Sequence, residues 1–246
     1  LNLSPRILVI TNIEADHLDY YRDLDDIKSA FEEMKNKLPE DGGLITEREY
    51  SKIRTDFKLK VPGKHNVRNA QAALAVAQAL GIDYLVAVEA LENFSGTWRR
   101  FELKGTIQKA HGEKGAKVYD DYAHHPSEIR ATLSGARELV GEDKKIFAVF
   151  QPHLYSRTQQ LFADFTASFA EADEVIVTDI YAAREEADKF ENISGEKLAQ
   201  AITNTRARYL KSFPEIAKYL KEKTSAGDLV IIMGAGDISQ VASHLL

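Results

Sequence analysis

With 246 residues and 44% hydrophobic side chains, the chain is long enough for one large or two ordinary domains with cores of their own. Its 32 Lys and Arg against 38 Asp and Glu leave a formal net charge of -6, which removes the electrostatic case for nucleic acid or an anionic membrane surface and points to small molecules or proteins as partners. The lack of cysteine excludes disulfides and thiol nucleophiles; no apolar run approaches membrane-spanning length and "LNLSPRILVI" has no signal-peptide pattern, so the expected location is cytoplasmic.

The apolar run "RILVIT" (6–11) reads as a strand, and 23–38 as an amphipathic helix with Leu24, Ile27, Phe31, Met34 and Leu38 at helical spacing. After "PEDGG" the stretch 46–60 shows little periodicity beyond a short expected strand at "FKLKV". An Ala-rich helix is expected over 67–80, with Asn66 as its N-cap and Gly81 as its stop, followed by a short helix at "YLVAVEALENF". From "RRFELKG" onward the pattern changes and strand and helix signals alternate to the C-terminus. The strands are "KVYDDYA", "KIFAVFQP", "EVIVTDIY", "ARYLK" and "DLVIIMGAG"; the helices are "PSEIRATLSGARELV", "TQQLFADFTASFAEA", "GEKLAQAI", "PEIAKYLKEK" and a closing one. This order predicts an α/β fold with a doubly wound, mostly parallel sheet, and a domain boundary near Lys104 that divides the chain into 1–103 and 104–246.

The unusual polar residues sit at the carboxyl ends of these strands. Asp16 and His17 follow the first; Asp120, Asp121, His124 and His125 end the next; Gln151, His153 and Arg157, then Asp179, Tyr181 and Arg184, then Gly234, Gly236 and Asp237 follow the others. Open parallel sheets bind ligands outside these ends, so the groups are expected to converge on a cleft. "DDYAHHP" by itself leaves three readings open: a metal site, an acid/base site, or a charged turn in which Asp121 merely caps a helix. Zinc finds no HxH or HExxH spacing. Asp, His, Asn and Arg presented together suit a phosphorylated nucleotide with Mg²⁺, although the chain has no GxxxxGK[ST] loop.

Several motifs together resemble the Mur ligase family, and within it the branch that adds L-alanine: "TNIEADHLDYY", "PGKHNVRNAQAALAVA", "RRFELKG", "DDYAHHPSEI", "FQPHLYSRT", "DIYAARE" and "GAGDI", in the family's order. The resemblance implies a partial central ATPase domain followed by a Rossmann-like C-terminal domain. It implies an amide-forming ligase that uses ATP and Mg²⁺, with UDP-N-acetylmuramate and L-alanine as substrates and an acyl phosphate intermediate. It assigns His17 to the Mg²⁺, and His65, Asn66 and Asn69 to the nucleotide site. Arg100 would reach the phosphates and Asp121 the ribose side of ATP. Tyr122, His124 and Arg157 would face the muramyl lactate and the alanine, with Arg157 on a carboxylate; His17, Arg100 and His124 would be the catalytic set.

The chain departs from the family in three places. The family's UDP-sugar-binding domain, P-loop lysine and metal-binding glutamate belong before Leu1; only "TEREYSKIRTDFKLK" stands between "GGLI" and "VPGKHN"; and Leu154 occupies a position that is Arg in some relatives. The chain alone is therefore expected not to be a competent ligase, with a non-catalytic remnant that binds nucleotide, substrate or a protein partner as the alternative. "RILVITNI" is expected to present a strand edge that is exposed or covered by another chain.

Overall fold

The computed structural model describes residues 3–17, 20–109 and 113–246. The chain folds as two compact units, Leu1–Ser95 and Gly96–Leu246, so that Lys104 lies inside the second. Among the described residues no helix is long and apolar enough to cross a membrane.

In the first unit, β1 (Ile7–Val9) pairs in parallel with β2 (Gly43–Ile45), the two being joined through α1 (Leu24–Lys35). Asp23 starts α1 by accepting hydrogen bonds from the amides of Asp25 and Asp26, at 3.0 and 2.9 Å. Three further helices follow: α2 (Glu47–Tyr50), α3 (Lys64–Ala79) and α4 (Tyr84–Asn93). The core is small: Ile45, Tyr50 and Ala72, with Ile7, Val9, Ala75 and Val76 against it. Among the described residues β1 pairs only with β2, so its other edge has no strand beside it.

Two expectations change in this unit. "FKLKV" is irregular, because a five-residue alternation with no strand beside it has nowhere to place its backbone hydrogen bonds. Asn66 is not the cap of α3 but lies in its first turn. The cap is Gly63 at φ 97°, a backbone region where glycine is favoured, and the Asn66 side-chain amide donates to the Pro62 carbonyl at 2.7 Å. Gly81 does end α3: its φ is 71°, and the amides of Gly81 and Ile82 bond to the Gln78 and Ala77 carbonyls.

The second unit holds a six-stranded sheet of β3 (Glu102–Gln108), β4 (Lys114–Asp121), β5 (Ile146–Phe150), β6 (Glu174–Val177), β7 (Arg206–Tyr209) and β8 (Leu229–Met233), in the order β3-β4-β8-β5-β6-β7. Only β3, which the polar alternation of "ELKGTIQ" had hidden, runs antiparallel. Helices cover both faces, which is why the inner strands read as unbroken apolar runs. Ile129 and Leu133 of α5 (Pro126–Val140), Phe165 of α7 (Phe162–Thr166) and Leu198 of α8 (Gly195–Ala201) pack with Phe150 and Ile231 on one face. Ile216 and Leu220 of α9 (Phe213–Lys223) and Val241 of α10 (Val241–Leu245) pack with Val149 and Ile232 on the other. The helix expected over 158–172 begins earlier, as α6 (Tyr155–Gln160), and breaks at Leu161 before α7.

The winding fixes where a site can form. The chain leaves β4 for α5 on one face and leaves β8 for α10 on the other, so the connections diverge above the adjacent ends of β4, β8 and β5. Those ends are level: Asp121 pairs with Met233, and Met233 with Phe150.

Candidate active site at the ends of the C-terminal sheet

The seven residues of "DDYAHHP" divide their work. Asp120 lies inside β4, 1% exposed, and meets Arg99, 4% exposed, whose Nε donates to the Asp120 carboxylate at 2.9 Å. The same guanidinium donates to the carbonyls of Gly234 at 2.6 Å and Gly236 at 3.1 Å, tying the segment before β3 to the turn after β8. Burial raises the Asp120 carboxyl above its usual range, and the Arg99 charge opposes that shift. Asp121, 5% exposed, accepts from the Phe101 amide at 2.8 Å and the Ala123 amide at 2.7 Å, and burial pushes its carboxyl up to about 6 despite those bonds. It fastens the backbone at the strand end. Phe101 and Arg99 need that fastening, since their φ values of 49° and 52° are in the left-handed region.

Beyond the strand, the Tyr122 ring has the Arg99 guanidinium 5.2 Å and the Arg100 guanidinium 5.7 Å from its centroid. His124 Nδ1 is 3.0 Å from the Tyr122 carbonyl and 3.3 Å from a Glu128 carboxylate oxygen. His125 is the N-cap of α5 and Pro126 its first residue; Glu128 returns to the His124 and His125 amides at 2.9 and 3.1 Å and lies 3.5 Å from Arg100. Burial opposes it, but those amides, with the neighbouring His124 ring and the Arg100 guanidinium, hold the Glu128 carboxyl below its usual value.

The next two strands add their ends. His153, after β5, lies 6.0 Å from the His124 ring and stacks on Tyr181, after β6, at 5.6 Å. Arg157, in the first turns of α6 and buried, is 3.3 Å from His153 Nδ1. Burial, then the neighbouring Arg157 and His124, lower the His153 imidazole to about 4. The two loops are zipped together, with Tyr181 N–H donating to the Pro152 carbonyl at 2.8 Å and Leu154 N–H to the Tyr181 carbonyl at 3.0 Å. Glu185 accepts from the Tyr155 and Ser156 amides at 2.5 and 3.1 Å. The turn after β8 completes the floor. Gly234 has φ 147°, and a β-carbon on Gly236 would collide with the Gln151 side chain and the Tyr181 ring.

The structure thus brings together Arg100, Asp121, Tyr122, His124 and Arg157, the second unit's share of the expected residues. His17, His65, Asn66 and Asn69 belong to the first unit. His17 has φ 53° and a side chain 69% exposed, its ring 3.7 Å from Asp16. His65, Asn66 and Asn69 lie in the first two turns of α3. Among the described residues no three His, Asp or Glu side chains are placed to hold a metal ion. A magnesium ion wants a near-octahedral shell of oxygens, so His17 could be one ligand of an ion held mainly by phosphate and water, and these residues do not assemble the shell themselves. Arg99, Glu128 and Glu185 were not among the expected site residues. A carboxylate in a strand buried on both faces calls for a cation, and Glu three residues after a cap is the capping-box spacing, so two of the three left a signal.

The Mur ligase, glutamate ligase domain family matches residues 99–236, and the Mur ligase middle domain family matches residues 1–51. The chain is 41% identical to the UDP-N-acetylmuramate–L-alanine ligase of Alkaliphilus metalliredigens and 38% identical to that of Caldanaerobacter subterraneus. The alignments take in 100% of this chain and 61% and 62% of those proteins. A crystal structure of the UDP-N-acetylmuramate-alanine ligase from Thermotoga maritima aligns with a TM-score of 0.72 at 29% identity, over 98% of this chain and 59% of that one. The chain spans about six tenths of the length of the curated relatives it matches. The first alignment runs over 292 positions against 246 residues here, so that relative carries residues with no counterpart in this chain. With a family match across more than half of its length and a doubly wound second unit of the same kind, the chain belongs to the Mur ligase family.

Proposed function

We propose that the chain is part of an ATP-dependent ligase that joins the lactyl carboxylate of UDP-N-acetylmuramate to L-alanine. The observation that carries this reading is the gathering of Arg100, Tyr122, His124, His153 and Arg157 over the level ends of β4, β8 and β5, in a chain whose relatives bear that activity in their names. In the reaction the γ-phosphoryl group of ATP passes to the carboxylate, the alanine amine attacks the acyl phosphate, and the tetrahedral adduct collapses to amide and phosphate. A mixed anhydride survives only where water is excluded, and the rigid loops fastened by Asp121, Glu128 and Glu185 supply fixed dipoles in place of solvent.

Arg157, beside His153, would pair with a substrate carboxylate through its planar guanidinium. Arg100 is the guanidinium for phosphate, steered by Glu128 and the Tyr122 face. Asp121, nearly enclosed, accepts from the Phe101 and Ala123 amides and would reach the ribose side of ATP. His65, Asn66 and Asn69 would line the nucleotide, and His17 would add one ligand to a phosphate-held Mg²⁺, whose chemistry is to neutralise phosphate charge.

The test is phosphate release from ATP with UDP-N-acetylmuramate and L-alanine, by the chain alone and together with a polypeptide covering the rest of the relatives' length. Activity in the second arm is expected. Silence in both, with each piece folded, favours a non-catalytic binding remnant, the reading that the six-tenths coverage keeps in play.

A further inference from the structure

The hydrogen-bond partners of the two neighbouring imidazoles decide where their protons sit. His124 Nδ1 faces a backbone carbonyl at 3.0 Å and the Glu128 carboxylate at 3.3 Å, both acceptors, so that nitrogen must carry the proton. His153 Nδ1 faces an Arg157 N–H at 3.3 Å, which can only donate, so that nitrogen must carry the lone pair. The rings lie 6.0 Å apart with their planes at 66°. We propose that His124 and His153 are held in opposite neutral tautomers, His124 with a basic Nε2 and His153 with an Nε2–H, forming a proton acceptor and a hydrogen-bond donor for addition of an amine to an acyl carbonyl.

Glu128 and Arg157 are the positioning residues. Glu128 is itself fixed by the His124 and His125 amides, so the acceptor that selects the His124 tautomer cannot swing away without uncapping α5. Arg157 belongs to α6, whose first amides are gripped by Glu185, and its charge and the burial of the site keep His153 neutral. The rings of Tyr122 and Tyr181 and the charges of Arg100, Arg184 and Glu185 also bear on the pair. Two imidazoles with their protons on opposite ring nitrogens let one site supply both a base and a donor at one pH.

The tautomers follow from the partners alone; their use rests on the ligase reading. In that use the amine lone pair forms the C–N bond while the carbonyl π pair moves onto oxygen, which accepts the His153 Nε2–H hydrogen bond. The proton leaving the new ammonium passes to His124 Nε2. The oxygen pair then restores C=O as the carbon–oxygen bond to phosphate breaks, and phosphate departs with that pair of electrons.

The test is a long-range ¹H–¹⁵N spectrum of the whole chain with ¹⁵N-labelled histidine at neutral pH, with signals assigned through His124→Gln and His153→Gln. His124 is expected as the Nδ1–H form and His153 as the Nε2–H form, each favoured by roughly tenfold or more, the factor expected for a hydrogen bond to a charged group. Glu128→Gln should reduce the His124 preference and leave His153 unchanged; Arg157→Met should do the reverse. A general loosening of the fold would move both. Both rings in one tautomer, or His124 carrying its proton on Nε2, overturns the pairing, and the wild-type spectrum decides this even where a variant fails to fold. Correct tautomers with no phosphate release in either arm of the ligase assay would sink the ligase reading alone. Activity with the wrong tautomers would sink the pair alone.

Discussion

Replacing Arg99 with methionine should be among the most damaging single changes in the second unit. The side chain is 4% exposed, and its removal strands the Asp120 carboxylate, 1% exposed, together with the carbonyls of Gly234 and Gly236. Breaking a buried ion pair from one side costs about 3–5 kcal/mol, a large part of a domain's usual margin of about 5–15 kcal/mol. Asp120 would then take up a proton. Its carboxyl is already raised by burial with Arg99 present, and without that charge it rises further. A raised carboxyl pKa means that the folded state holds the proton more tightly than the unfolded state, so stability is present at low pH and lost as pH climbs through the folded value. The Arg99→Met deficit should therefore shrink as pH falls into the usual carboxylate range. The assay is urea unfolding followed by circular dichroism, because Trp98 sits 5.8 Å from the Arg99 guanidinium and its fluorescence would respond directly to the substitution. Arg99→Met with Asp120→Leu, which removes both charges, should recover about 1–3 kcal/mol relative to Arg99→Met. A deficit under about 1 kcal/mol for Arg99→Met, or no recovery in the double variant, would refute the argument that the pair is a buried, mutually dependent unit.

Asp121 and His153 should give opposite slopes of stability against pH. Asp121, raised to about 6, contributes stability that is lost as pH rises toward 6, about 3 kcal/mol at full effect. His153, lowered to about 4, contributes stability that is lost as pH falls from its ordinary range toward 4. His153→Gln should thus lose less stability than the wild type as pH falls from 6 to 4, because the imidazole that resists protonation is gone, and parallel curves would contradict the assignment. Gly236→Ala should destabilise the unit by about 1–3 kcal/mol in urea unfolding, because the new β-carbon meets a Gln151 side chain pinned by Asp237 and Ile238, and a Tyr181 ring stacked on His153. Asp23→Ala should lower the stability of the first unit by about 1 kcal/mol through loss of the α1 cap, read as a shift of its thermal midpoint. An unchanged midpoint would show that the cap contributes nothing.

Much of this fold is written in short-range pattern. The apolar runs of β5, β6 and β8, the Pro126 start of α5 and the Gly81 stop of α3 follow from residues within a turn or two of each other, and they appear where the sequence places them. Strand β3 does not announce itself. It is an edge strand whose alternation is broken by Gly105 and whose Leu103 is exposed, so its identity depends on pairing with β4. "FKLKV" shows the converse, a local alternation with nothing to pair with.

The candidate site divides in the same way. Sequence by itself determined that the chemistry-bearing residues follow strand ends, since the motifs and the strands they follow are contiguous in the chain, and the family resemblance named Tyr122, His124 and Arg157 among them. It could not say which of Arg99 and Arg100 turns inward, because the choice is made by strand register and by the Asp120 carboxylate 21 residues away. Nor could it show that β8, last of the strands, inserts between β4 and β5, or that His124 and His153 come within 6.0 Å and face different hydrogen-bond partners. Local preference sets each element and cap, whereas strand order, burial and hydrogen-bond direction arise only when segments far apart in the chain compete for the same space.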